Sequence, residues 1–163
     1  MAEEKDLFAE DKMPDASGMR LAIVAARFNA SITERLLTGA VDALRQAGAA
    51  ARAIEIYRVP GCFELPLLAK SLAATGRYDG IVALGAVVRG ETPHFEYVSA
   101  AAAQGLMRVS LETGVPVGFG VLTTDTYDQA VARAGGARGN KGADTALTVV
   151  ETAAALGLQR FSS

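Results

Sequence analysis

Gly85-Ala-Val-Val-Arg-Gly-Glu-Thr-Pro-His-Phe-Glu-Tyr-Val98 reads as one structural event: a buried strand that ends, a short glycine loop, then a new helix. Ile81 to Val88 is an apolar run of strand length. Arg89 and Gly90 break it. Thr92 suits an N-cap, because its hydroxyl can accept from the free N–H groups of a first turn. Pro93 suits the first helical position, where its missing N–H costs nothing. His94, the only histidine in the sequence, then lies in the first turn, beside free backbone donors and the positive end of the helix dipole. That place suits an anion, and an imidazole that serves as a neutral base. Taken alone, a histidine there is more often a surface or packing residue than a catalyst.

The same event recurs on either side of this stretch. Arg20 to Ala26 is a short strand that ends at Arg27-Phe28-Asn29. Ser31-Ile-Thr-Glu34 has the form of a capping box, and Leu36, Leu37, Ala40, Val41 and Leu44 give its helix one apolar face up to Gly48. Ala53 to Val59 alternates as a strand and ends at Pro60-Gly-Cys-Phe-Glu-Leu-Pro66, which opens a helix running to about Ala74. The helix after His94 is expected to continue to about Glu112. Val115 to Leu122 reads as a further strand, Thr123-Thr-Asp125 as the cap of a short helix through Arg133, and Asn140 as the cap of a last helix that Gly157 ends near Leu156.

Strand and helix in strict alternation predict an α/β sandwich with a parallel sheet and right-handed crossovers. The strands are continuous apolar runs, as strands buried on both faces are. Residues 1–18 are charged, with Pro14 and Gly18, and are expected to form a mobile arm; residues 19–163 are expected to form a single domain.

Bulk properties exclude several classes. A net charge of −2 and a pI near 5.4 argue against nucleic acid or an anionic membrane as partner. One cysteine, Cys62, excludes an internal disulfide, and with one histidine a structural zinc site is not expected. No run approaches the length of a transmembrane helix, and residues 1–11 lack an apolar signal region, so the cytoplasm is the expected location. There is no phosphate-binding GK[ST] loop, and Gly118-Phe-Gly120 lacks the third glycine of a dinucleotide fingerprint.

In such a sheet the loops that follow the strands open on one edge, where ligands bind. The unusual residues collect there: Phe28 after the first strand, Pro60 to Glu64 after the second, Arg89 to His94 after the third, Thr123 to Asp125 after the fourth. Phe28 either stacks on a flat ring or caps the core. Glu64 either accepts from ligand hydroxyls or is a dipole-favoured surface acid. Arg133 either joins Thr92 and a helix N-terminus on a phosphate or is solvated. Lys141 opposes the dipole of its helix start, so a ligand or Asp144 must compensate it.

Taken together and in order, Ala26-Arg-Phe-Asn29, Val59-Pro-Gly-Cys-Phe-Glu-Leu-Pro66, Gly85-Ala-Val-Val-Arg-Gly-Glu-Thr-Pro-His94, Phe119-Gly-Val-Leu-Thr123, Arg133-Ala-Gly135 and Asn140-Lys-Gly142 resemble the 6,7-dimethyl-8-ribityllumazine synthase family. The resemblance covers about Arg20 to Leu156. It implies a three-layer, flavodoxin-like sandwich whose four-stranded parallel sheet is flanked by helices on both faces. It also implies a cofactor-free, metal-free condensation in riboflavin biosynthesis. A ribitylaminouracil and 3,4-dihydroxy-2-butanone 4-phosphate pass through imine formation, phosphate elimination and ring closure to the lumazine.

By matching position, the resemblance gives Phe28 the stacking role on the pyrimidine. Cys62, Phe63 and Glu64 would hold the ribityl chain, and Val87 and Val88 the pyrimidine edge. Glu91, Thr92 and Arg133 would surround the phosphate, Glu91 through its N–H only, and His94 would shuttle protons. Phe119, Arg133 and Lys141 match residues supplied by a neighbouring subunit. Assembly into pentamers is implied, and the short loop from Gly135 to Asn140 resembles members that pack twelve pentamers into a sixty-subunit shell. Riboflavin synthase is a possible further partner. Glu91 and Ala137 depart from common family patterns, with Arg138 a substitute for the latter. Two other classes share the fold: a flavin- or lumazine-binding relative without catalysis, and a purely structural shell protein. The retained His94, Arg133 and Lys141 argue for the enzyme.

Overall fold

The computed structural model describes residues 14–161. Along the chain run β1 (Leu21–Ala26), α1 (Ala30–Gln46), β2 (Ile54–Val59), α2 (Leu65–Ala73), β3 (Gly80–Val88), α3 (His94–Thr113), β4 (Val117–Thr124), α4 (Tyr127–Arg133), β5 (Ala134–Gly136), β6 (Gly139–Asn140) and α5 (Lys141–Phe161). β1 to β4 form one sheet in the order β2-β1-β3-β4, and every neighbouring pair is parallel. The expected four-stranded α/β sandwich is the observed architecture.

The layers follow from side-chain alternation along buried strands. Leu21 and Ile23 of β1, with Val82, Leu84 and Ala86 of β3, pack against Leu36, Ala40 and Leu44 of α1 and Ala146, Val149 and Val150 of α5. Ala22, Val24 and Ala26, with Ile81 and Ala83, turn the other way, onto Leu65, Ala69 and Leu72 of α2 and Ala102, Leu106 and Val109 of α3. All six residues of β1 are fully buried, so its unbroken apolar run is what a central strand needs. The α1–α5 layer closes through Gly142. A Cβ there would overlap the carbonyl of Leu36, so only glycine lets the two helices meet at that point.

Several local expectations need correction. α3 begins at His94, with Pro93 at the cap position and no side-chain cap, so Thr92 is not the N-cap. The Ser31–Glu34 capping box does not form. Asn29 occupies the cap in the left-handed region (φ 59°), Ser31 Oγ pairs with Tyr127 Oη at 2.7 Å, and Glu34 pairs with Arg58. β4 lies two residues later than expected, and Thr126 rather than Thr123 to Asp125 caps α4, its hydroxyl accepting from Gln129 N–H at 3.2 Å. Asn140 caps α5 as expected, its Oδ1 accepting from Ala143 N–H at 3.1 Å. The helix runs on through Gly157 to Phe161. β5 and β6 form a small antiparallel hairpin where a plain loop was expected. Residues 1–13 of the expected arm lie outside the described residues. Within 14–18, Ala16 is fully buried and its N–H donates to Ala47 O at 2.8 Å.

Candidate active site

The strand order reverses between β1 and β3: the chain leaves β1 towards β2 on one side and β3 towards β4 on the other. A crevice opens outside the carboxyl ends of the strands at such a point. Here it is a cleft of about 650 Å³, within the range of small-molecule sites. Its walls come from the ends of β1, β2 and β3 and from the start of α3.

The first wall is Phe28-Asn29. Asn29 holds a left-handed backbone, which asparagine tolerates better than most residues, and its Nδ2 donates to Ala86 O at 2.9 Å. Phe28 N–H donates to Pro60 O at 2.9 Å. These two bonds tie the turn to β3 and to the loop after β2, and they leave the Phe28 ring 72% exposed at the cleft mouth. Phe28 is therefore not a cap on the core.

The second wall is a 3-10 turn over Cys62–Glu64 that leads into α2, with Pro66 in its first turn. Gly61 N–H donates to Glu64 Oε2 at 3.1 Å, which fixes the carboxylate over the turn. Phe63 is 62% exposed, whereas Cys62 is 5% exposed. Burial pushes the Cys62 thiol up to about 11, so it is a neutral wall group rather than a nucleophile.

The third wall is the end of β3, where Ala86, Val87 and Val88 give way to Gly90, Thr92 and His94. With no side-chain cap, the N–H groups of His94 and Phe95 at the start of α3 are open to an anion, while that of Glu96 donates to Pro93 O at 3.1 Å. Phe95, Tyr97 and Val98 of α3 complete the lining.

Eight of the twelve residues expected at the site line this one cleft: Phe28, Cys62, Phe63, Glu64, Val87, Val88, Thr92 and His94. Four do not. Glu91 is exposed between lining residues Gly90 and Thr92. Phe119 pairs with Ala83, three rungs before Ala86, which puts it roughly 10 Å along the strand from the cleft. Arg133 ends α4 and Lys141 begins α5, both in the layer on the opposite face of the sheet. Arg133 donates to Gln129 O at 3.0 Å and has no carboxylate partner among the described residues. Lys141 is exposed and likewise unpaired among the described residues, with Asp144 not compensating it.

Sequence reasoning did not single out Asn29, Tyr97 or Val98. Tyr97 and Val98 stand three and four residues after His94, so helical spacing alone puts them on its face.

The model of the 6,7-dimethyl-8-ribityllumazine synthase family matches residues 18–157. This chain belongs to that family. It is 57% identical over 136 residues to the 6,7-dimethyl-8-ribityllumazine synthase of Syntrophus aciditrophicus (strain SB), covering 83% of this chain and 88% of that protein. It is 56% identical over 138 residues to the 6,7-dimethyl-8-ribityllumazine synthase of Nitratidesulfovibrio vulgaris (strain DP4), covering 85% and 88%. For a member of the lumazine synthase family, the lining of the cleft has a notable charge balance. No lysine or arginine is among the described residues that form it, while Glu64 is. Among the described residues no cluster of His, Cys, Asp and Glu is placed to hold a metal, and no helix is long and apolar enough to cross a membrane.

Proposed function

We propose that the chain condenses 5-amino-6-(D-ribitylamino)uracil with 3,4-dihydroxy-2-butanone 4-phosphate to 6,7-dimethyl-8-ribityllumazine, with release of phosphate and water, as the penultimate step of riboflavin biosynthesis. Family membership supports the reaction. The observation that carries it to this site is the grouping of an exposed aromatic ring, a fixed carboxylate, the backbone of a strand end and an open helix N-terminus around one cleft.

Each group then has a task. The Phe28 ring stacks on the pyrimidine, and the backbone of Val87 and Val88 reads its edge. The turn at Cys62-Phe63-Glu64 holds the ribityl hydroxyls. The phosphate sits on the N–H groups of His94 and Phe95 at the start of α3, with Thr92. His94, at the head of α3, takes the proton that the amine loses on attacking the ketone and returns one as water leaves. Amine and ketone react without covalent help from the protein, so orientation and proton movement account for the catalysis.

A phosphate dianion in a cleft without its own cation lacks a counter-charge. Arg133 and Lys141, on the far layer and without a carboxylate partner among the described residues, meet that need when they enter the cleft of a neighbouring copy, with Phe119 closing over the ring. Leu67, Met107 and Leu111, 77%, 60% and 78% exposed on the α2–α3 layer, are the apolar surface a neighbour would cover. The assembly is a pentamer, and the short Gly135 to Asn140 segment favours a shell of twelve pentamers. A light-scattering mass of one pentamer would refute the shell.

The experiment is to supply both substrates and follow lumazine formation and inorganic phosphate release together. One phosphate per lumazine is expected. Lumazine binding without phosphate release would identify a binding protein instead. Arg133→Ala should raise the KM for the dihydroxybutanone phosphate and leave that for the uracil unchanged; an unchanged pair would remove Arg133 from the site.

A further inference from the structure

The turn that receives the phosphate in this reading has little of its own to hold it. A Cβ at Gly90 would meet open space, Glu91 and Thr92 are exposed, and α3 starts without a side-chain cap. Arg89 stands at its stem. Its backbone N–H donates to Thr124 O at 2.9 Å, which extends the β3–β4 ladder by one rung. Its Nε donates to Asp125 Oδ1 at 2.8 Å, and Nη1 donates to the carboxylate of Glu96 in the first turn of α3. The guanidinium carbon lies 4.3 Å from the centroid of the Phe95 ring. One side chain therefore joins the start of the loop to the first turn of α3, seven positions on, and pins both to the end of β4.

We propose that Arg89 is a positioning residue: without touching substrate, it fixes the first turn of α3, and with it Thr92 and His94, against the end of β4. The proposal rests on the reading of the cleft as the condensing site.

Arg89, Glu96 and Asp125 are 43%, 52% and 68% exposed, and ion pairs so open contribute little to the stability of a fold. Their arrangement is therefore not explained by fold stability. Next, two carboxylates near a phosphate site oppose anion binding. The hydrogen bond from Arg89 holds the Glu96 carboxyl below its usual range, which keeps its charge in place beside the turn. An acid kept beside an anion is adverse electrostatically and useful only geometrically. Last, a loop closed by a side-chain bridge has fewer conformations to lose when ligand binds, and preorganisation of that kind raises affinity. The planar fork of arginine can serve two acids and stack on a ring at once, which the single ammonium of lysine cannot.

The test uses Arg89→Gln, Arg89→Lys and Glu96→Gln in the full, assembled protein, with kcat and both KM values measured. Arg89→Gln should raise the KM for the dihydroxybutanone phosphate by about tenfold, as loss of orientation does. It should leave the KM for the ribitylaminouracil, the circular dichroism and the assembled mass as they are. Arg89→Lys should restore only part of the loss. Glu96→Gln separates geometry from charge. Removing an acid would lower the phosphate KM if electrostatics governed, and raises it if positioning does. A lowered KM in Glu96→Gln, unchanged constants in Arg89→Gln, or an equal rise for both substrates overturns the role of Arg89 while leaving the reaction in place. A wild-type protein that does not accelerate the condensation overturns the reading of the cleft, and this role with it.

Discussion

Replacing Gly85 by alanine tests how the cleft wall is built. A Cβ at Gly85 would overlap the Cys62 sulfur, with Ala26 Cβ at 3.3 Å and Leu65 Cδ1 at 3.8 Å on its other sides. Gly85 lies inside β3 and its strand neighbours are fully buried, so the backbone has no direction in which to yield. Cys62, 5% exposed, must move instead, and the 3-10 turn moves with it. Overpacking of this kind costs about 1–3 kcal/mol. Replacing a strand glycine returns about 0.5–1 kcal/mol of chain entropy. The overlap wins, with a net loss of about 1–2 kcal/mol, or roughly 2–8 °C in the melting temperature for a chain of this size. Because the displaced turn carries Phe63 and Glu64, the KM for the ribitylaminouracil should rise as well. Cys62→Ala supplies the control. In Gly85→Ala/Cys62→Ala the new methyl takes the space the sulfur left, so the pair should be more stable than the sum of the single changes by about 1 kcal/mol or more. Thermal unfolding of the four proteins and their uracil KM values decide the matter. Strictly additive losses, or a Gly85→Ala protein as stable and active as the parent, would refute the packing argument.

His94→Ala should slow the condensation by about a hundredfold, the lower end of what acid–base assistance contributes, because the rest of the cleft still orients the reactants. A folded, assembled His94→Ala protein with no activity at all would mean that the imidazole does more than move protons. Cys62 should resist alkylation in the folded protein. With its pKa raised to about 11, the thiolate is more abundant at high pH and scarce at pH 8. The fraction there is roughly 0.1%, against about 24% for an unperturbed thiol, so iodoacetamide should react about two hundredfold more slowly than in urea. Labelling at the unfolded rate would show that the wall opens.

The fold was legible where one strand or one helix decides its own fate. The run from Ile81 to Val88 is apolar at every position because β3 is covered on both faces, and that pattern survives without knowledge of its partners. Asn140 was legible as a cap because its acceptor role is served three residues away, at Ala143. Ser31 and Thr92 were misread because their surroundings are set elsewhere. The Ser31 hydroxyl meets Tyr127, 96 residues on, and the turn before α1 is shaped by the bond from Asn29 to Ala86. The hairpin of β5 and β6 is too short to show any period. In the site, the residues that follow strand ends were legible, since the topology brings those ends together. Arg89 was legible as a residue at a strand end, but its bridging role was not, because that role lies in Asp125 and Glu96, one of them 36 residues distant.

If this cleft makes a lumazine from two small molecules, the rate at which the lumazine appears reports it directly. Purified protein is mixed with the ribitylaminouracil and the dihydroxybutanone phosphate, and lumazine absorbance is followed against the uncatalysed background. A clear acceleration is expected, one that vanishes when the phosphate substrate is omitted. An assembled protein that leaves the background rate unchanged would contradict it.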